Sequence, residues 1–280
     1  MKNCNETKMT IENPFNTTYH IAIQLSNLCN YSWMHRKCPA HHVKEPVILS
    51  SEVVYDIINT LKKYNYGKGQ SIAFYLYNDS LNDPRLFTFI ERAAKACPNS
   101  NIIIGTNGWY LTDIMVRELY NVGVTFILVT AYTDSENERF INIKSKLYQM
   151  IKDGKIKQPN HMPISFWIRR VKNLDDRMDL KGSYNKKCYS PLTELIITPE
   201  GRMKLCCLDV KEEQTFGNLY KERFEKIVRD NYDRLNNLRY QLMKEIVNLE
   251  VCKRCIVRNR WKKLYEECGD YRYKDYIIRK

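Results

Sequence analysis

The chain reads as an α/β protein: a parallel sheet built from strand–helix units, followed by a smaller cysteine-bearing region of different character. Three observations predict this. Strand-like and helix-like stretches alternate along the first two thirds of the 280 residues, the pattern that builds parallel sheets. The predicted strand ends carry polar or metal-capable residues, where open sheets and barrels of this kind place their ligands. Past a polar, charged stretch at 175–187, read as a linker, the alternation stops and cysteines dominate.

Each element has a local reason. Residues 19–26 form the first strand, with Ile21, Ile23 and Leu25 on alternate positions. Ser51 is the expected N-cap of the first helix, ahead of a Val53, Val54, Ile57, Ile58, Leu61 stripe. The second strand is 71–78. The helix at 84–97 has Pro84 early and Leu86, Phe89, Ile90 and Ala93 on one face. Strands at 101–106, 124–132 and 163–171 alternate with helices at 111–120 and 135–152. An open sheet and a partial barrel both fit. In either, the strand ends at 26–29, Asn78-Asp79-Ser80, Thr106-Asn107-Gly108 and 130–132 meet at one mouth.

Beyond the linker, a strand at 193–198 turns at Pro199-Glu200-Gly201 and returns over 202–207. Phe216-Gly217-Asn218-Leu219 follows. A long charged helix over 221–248 carries a core stripe of Phe224, Ile227, Val228, Leu235 and Leu238, and a short helix at 257–267 reaches Cys268. There is no internal repeat.

Composition narrows the function classes. A hydrophobic content of 44% supports a real core, and the net charge of +13 makes the surface basic. No concentrated basic stripe with a nucleic-acid reading module accompanies that charge, so nucleic acid is not the expected partner. No apolar run approaches the ~18 residues of a membrane span. The polar N-terminus lacks the apolar segment of a signal peptide. The expected location is cytoplasmic, where ten cysteines point to metal or catalysis rather than disulfides. Cys97 reads as core and Cys4 as a free thiol.

Cys188, Cys206, Cys252 and Cys255 carry the most information. They read C-x12-G-x4-C and then C-x2-C. The hairpin lets the first two thiols meet at one end, and a tight turn supplies the other two. Taken alone, such a four-thiolate site suits zinc as well as an iron–sulfur cluster. Cys207 and Cys268 read as neighbours of the site. A second group, Cys29 and Cys38, stands at the end of the first strand.

Together these residues resemble a radical S-adenosylmethionine (radical SAM) enzyme with a C-terminal SPASM or twitch domain. The resemblance runs from about residue 21 to residue 255. Its C-terminal part rests on C-x12-G-x4-C, Cys206-Cys207-x-Asp209, Gly217-Asn218-Leu219 and the C-x2-C pair. The family's first motif is C-x3-C-x2-C. This chain has Asn27-Leu28-Cys29-Asn30-Tyr31, a longer spacer, then Cys38-Pro39-Ala40-His41. The resemblance thus implies a SAM-binding 4Fe-4S cluster on Cys29, Cys38 and His41, with His35 the alternative third ligand. It implies one auxiliary 4Fe-4S cluster on Cys188, Cys206, Cys252 and Cys255.

The family's Gly-Gly-Glu corresponds to Asn78-Asp79-Ser80, with Asp79 offering the carboxylate to the methionine ammonium. Its Ser/Thr-Asn-Gly corresponds to Thr106-Asn107-Gly108. Thr130 and Tyr132 are placed to line the ribose or adenine, and Arg169 and Arg170 to reach SAM or a substrate oxygen. The implied fold is a partial (β/α)6 barrel over residues 1–185 with a small α+β twitch domain over 186–280. The implied activity is hydrogen abstraction from a small polyol or aminocyclitol, with a ribosomal peptide as the second substrate class. A flavodoxin- or ferredoxin-type protein is the implied electron donor. A cluster-binding barrel without radical chemistry, and a zinc-stapled binding protein, are the readings from other classes.

Overall fold

The structure is a computed structural model that describes residues 12–34, 38–157, 159, 163–171, 194–244, 246 and 248–253. Within these residues eight strands form one sheet, ordered β5-β4-β3-β2-β1-β6-β7-β8. β1 (His20–Ile23), β2 (Ser71–Phe74), β3 (Asn101–Thr106), β4 (Phe126–Ala131) and β5 (Ser165–Arg170) are parallel neighbours in chain order. Helices α1 (Ser51–Lys63), α2 (Leu86–Ala96), α3 (Asp113–Asn121) and α4 (Asp134–Lys152) connect them. The α/β reading of the sequence holds.

The sixth parallel strand comes from an unexpected place. β6 (Glu194–Ile197) is the first arm of the hairpin assigned to the second region, and it pairs with β1 rather than β5. Its arm mate β7 (Arg202–Lys204) and then β8 (Thr215–Asn218) continue antiparallel. The sheet therefore runs without a break from the βα units into the cysteine-bearing region. The boundary expected near residue 185 lies outside the described residues.

Sheet pleating sends successive side chains of β1 to opposite faces. Ile21 and Ile23 enter the large core on the helical side, while Ala22 joins Ala73 and Ile196 on the other face. Cys206, Phe216, Leu219 and Phe224 lie in the same large core as Ile21 and Phe89, so the C-terminal elements share it.

Local details differ from the sequence reading in instructive ways. The N-cap of α1 is Ser50, whose hydroxyl accepts from the Val53 amide at 3.3 Å. Ser51 instead accepts from Arg85 Nη1 at 3.2 Å. The single helix expected over 221–248 is three pieces: α5 (Phe224–Asp230), α6 (Tyr232–Met243) and α7 (Glu250–Lys253). Asn231 makes the first break because its amide donates to the Ile227 carbonyl at 2.9 Å and the Phe216 carbonyl at 2.6 Å. That local bonding competes with helix propagation. The expected stripe is real, with Phe224, Ile227, Val228 and Leu235 buried and Leu238 packed on them. α5 docks on α1, where Asp56 Oδ2 accepts from the Phe224 amide at 2.8 Å. The helix expected at 257–267 lies outside the described residues.

Candidate active site at the strand ends

The mouth is assembled by hydrogen bonds between strand ends distant in sequence. Asp79, 2% exposed, follows β2. Its carboxylate accepts from the Thr106 hydroxyl at 2.9 Å, the Asn107 amide at 2.7 Å and the Leu81 amide at 2.9 Å. These donors use most of the roughly four lone-pair sites a carboxylate has. Burial raises its pKa, and the same donors pull it back down. Ser80 is fully enclosed, its hydroxyl bonded to the Phe74 carbonyl and to that of Gly105 at 2.7 Å. Both residues thus clamp β2 to β3.

Asn107 carries the clamp to the cysteine loop. Its side-chain nitrogen donates to Asn30 Oδ1 at 2.6 Å and points at Cys29 Sγ at 3.9 Å. Gly108 completes this turn at φ +73°, and a Cβ there would stand 2.4 Å from Phe140 Cζ. Only glycine fits both the backbone conformation and the space. From the other side, Tyr31 Oη donates to Glu136 Oε1 at 2.6 Å, while Glu136 Oε2 accepts from the Tyr132 and Thr133 amides. Thr133 and Glu136 form a capping box at the start of α4. The loop after β1 is therefore tied to β3 through Asn107 and to β4 through Glu136.

Aromatic rings surround that loop. Tyr31 is a hub, its ring centre 5.4 Å from Tyr132, 5.8 Å from Trp109 and 6.4 Å from Trp33. Trp33 and Trp109 are 69% and 60% exposed, so they cap the cluster from solvent rather than fill the core. Arg169 donates to Thr130 Oγ1 at 2.7 Å and acts electrostatically on Tyr132. Arg170, next along β5, points away from it and pairs with Asp134 at the first turn of α4. The two arginines predicted together therefore face different surroundings.

The fit of an iron–sulfur cluster and SAM can be judged from this chemistry. Cys29 and Cys38 are half-buried and close enough to influence each other's ionisation. Burial pushes the Cys29 thiol up to about 11, and a metal bound there would displace its proton. His41 Nδ1 donates to the Ser32 carbonyl at 2.8 Å, so Nε2 is the ring nitrogen that could coordinate. Metal-binding histidines are fixed by this kind of outer bond. Asn78 has a buried side-chain nitrogen with no partner among the described residues. Such an orphan donor is costly unless a ligand accepts from it. Among the described residues no three His, Cys, Asp or Glu side chains close on a single ion. A cluster with its ligands on separate irons needs a wider set. His35 lies outside the described residues.

The second cysteine group is built differently. Cys206 and Cys252 are 8% and 7% exposed and belong to the main apolar core. Cys188, Cys255 and Cys268 lie outside the described residues, as does Cys4. Cys97 is core, as read from the sequence. Between the two cysteine groups stands Tyr77, whose hydroxyl donates to the Cys207 carbonyl. Burial raises the Tyr77 phenol well above its ordinary value, with Cys207, Cys206 and Cys38 adding to the effect. Tyr31, Glu136, Tyr77 and Lys204 were not among the predicted residues. Only the Thr133-x-x-Glu136 spacing offered a sequence signal.

Comparisons with known proteins bear on the fold and on the C-terminal cysteine region. Residues 188–256 match the SPASM family, an iron–sulfur cluster-binding domain. The chain is 20% identical over 237 residues to the S-adenosyl-L-methionine-dependent 2-deoxy-scyllo-inosamine dehydrogenase of Niallia circulans, covering 84% of this chain and 91% of that protein. BtrN in an open conformation superposes with a TM-score of 0.61 at 16% identity, over 85% of this chain and 92% of that one. BtrN in complex with AdoMet and 2-DOIA gives 0.60 at 16% identity, over 81% and 88%. Native anSMEcpe with bound AdoMet gives 0.52 at 11% identity, over 91% and 98%. Among the described residues no helix is long and apolar enough to cross a membrane. In sequence and in fold, the chain resembles the radical SAM enzymes that carry a partial barrel followed by a SPASM iron–sulfur cluster-binding domain.

Proposed function

We propose that this chain is a radical SAM enzyme that oxidises a small polyol or aminocyclitol. The observation that carries the reading is the convergence of Asn30, Asp79, Thr106 and Asn107 at one mouth through hydrogen bonds of 2.6–3.0 Å, with Asn107 also 3.9 Å from Cys29 Sγ. Cys29, Cys38 and His41 would hold the SAM-binding 4Fe-4S cluster, and Cys188, Cys206, Cys252 and Cys255 an auxiliary one. When bound and reduced, the first cluster supplies the electron that splits SAM into methionine and a 5′-deoxyadenosyl radical, which removes hydrogen from the substrate.

The residues of the chain bind, orient and shield. The Asn78 amide offers its orphan hydrogen to a SAM oxygen. Asp79, Thr106 and Asn107 hold the floor of the SAM site, with one acceptor position of Asp79 left for the methionine ammonium. Thr130 and Tyr132 line the nucleoside side, and the Tyr31, Trp33 and Trp109 rings exclude water from the cysteine loop. Arg169, held by Thr130, is the catalytic candidate for a substrate oxygen. Ser80 supports from behind, and Arg170 is steered by Asp134. The donor would be a flavodoxin- or ferredoxin-type protein.

The small-molecule substrate follows from likeness to a protein named as a 2-deoxy-scyllo-inosamine dehydrogenase, matched over 91% of its length. A second reading, cluster binding without radical chemistry, draws on the histidine that stands where the family has a third cysteine. Anaerobically purified protein with SAM and dithionite tests both. Iron, sulfide and 5′-deoxyadenosine together support the enzyme, with hydrogen transfer from a deuterated aminocyclitol assigning the substrate class. Clusters without 5′-deoxyadenosine favour the second reading, and zinc without iron overturns both.

A further inference from the structure

Lys204 is a lysine in an improbable place. It is 2% exposed, among the largest fully buried side chains of the described residues. In β7 it pairs with Ile196 while Met203 pairs with Ile197, so ordinary alternation turns Lys204 to the face that carries Ala22, Ala73 and Ile196 and sends Met203 into the large core.

Glu212 and Asp209 act on it electrostatically, but neither closes an ion pair with it. The Lys204 Nζ donates to the Asp209 carbonyl at 3.2 Å and stands 4.6 Å from the centre of the Tyr77 ring. Among the described residues no carboxylate lies within ion-pair distance of it. The Asp209 carboxylate is occupied by the Glu213 and Gln214 amides, each at 2.9 Å, and Glu212 is paired with Arg202. A buried ammonium without an ion-pair partner is costly unless an anion meets it. Two and three residues on are Cys206 and Cys207. An iron–sulfur cluster bound through the Cys206 thiolate would bring negative charge to this place.

We propose that Lys204 is a positioning residue whose ammonium, backed by the Tyr77 ring, compensates the auxiliary cluster's negative charge and sets its reduction potential. This rests on the reading that Cys206 belongs to an iron–sulfur site. Cluster potential depends on net charge and on the groups around the sulfurs. A fixed cation favours the reduced, more negative state. In the reaction proposed above, that makes the auxiliary site the better electron acceptor.

The test is EPR-monitored potentiometry of the reconstituted full chain. Lys204→Met is expected to lower the one-electron reduction constant of the auxiliary cluster about tenfold, equivalent to about 59 mV. The SAM-binding cluster should keep its potential, and Lys204→Arg should keep both. Tyr77→Phe retains the ring face and should leave the potential unmoved. If Lys204→Met does not hold the cluster, Lys204→Gln replaces it. Cluster loss in the Met and Gln variants with retention in Arg supports charge compensation. An unchanged potential in the Met or Gln variant overturns the proposal, and so does cluster loss in the Arg variant, which would assign packing alone. A wild-type chain without an iron–sulfur cluster at Cys206 overturns the underlying reading as well, and iron and sulfide analysis separates that failure from the others.

Discussion

The two cysteine groups solve opposite problems. Cys29 and Cys38 are half-buried in a mouth held by polar bonds from Asp79, Asn107, Tyr31 and Glu136. Cys206 and Cys252 are sunk in the apolar core, with the enclosed Lys204 two residues from Cys206. The first arrangement fixes the loop by directional bonds and, under the proposed function, would keep an approach open for SAM. The second excludes water and lets charge and packing set the site. A place where chemistry occurs needs access, whereas a place that only passes electrons benefits from enclosure.

The sharpest break between them is removal of one thiol from each. Cys29→Ala should drop 5′-deoxyadenosine formation to background, beyond the roughly 10–100-fold loss typical of an outer partner. Cys206→Ala should leave SAM cleavage measurable while substrate oxidation is lost, read as 5′-deoxyadenosine formed without product. Equal loss in both assays for both variants would erase the contrast.

Acid offers a control that touches neither group. His20 sits at the opposite end of β1, its Nδ1 2.7 Å from Ser71 Oγ, and burial lowers its pKa to about 4 from an ordinary 6.5. The unfolded chain binds the proton first. Stability is therefore unaffected above pH 6.5 and falls as pH drops from 6.5 towards 4. The shift corresponds to at most about 3 kcal/mol, less because the ring keeps some solvent contact. Urea midpoints across that window should show the slope, and His20→Gln should flatten it.

Smaller changes probe the polar mouth alone. Asp79→Asn sets an amide hydrogen against one of three inward donors, costing about 1–3 kcal/mol, and should weaken SAM binding measured by calorimetry. Tyr31→Phe removes one bond to Glu136 and should cost about 1 kcal/mol. Its visible effect should be a raised KM for SAM with iron content unchanged. An Asp79→Asn chain as stable as the parent would argue that the mouth is not fixed by this clamp.

The sequence made much of this legible. Alternating strands and helices reported the parallel sheet because pleat and helical period are local properties. The strand-end residues Asp79, Thr106 and Asn107 were found because position relative to a strand implies a common mouth. What escaped depends on pairing between distant segments. Nothing local says that β6 lies beside β1, that the Asp79 carboxylate accepts from Asn107, or that the Tyr77 ring stands against Lys204. The break at Asn231 was missed because an asparagine in a charged run looks like solvated helix until its partner, the Phe216 carbonyl, is known.

The pairing of β6 with β1 has a consequence for chain assembly. β1 is synthesised first among the strands, yet one of its two neighbours is made only after all five βα strands. Until then its apolar residues lie on an unprotected edge, open to pairing with another chain. A chain ending before residue 194 keeps that edge for good. It should aggregate even with every mouth residue present, so the cysteine-bearing region also serves as the sheet's edge guard.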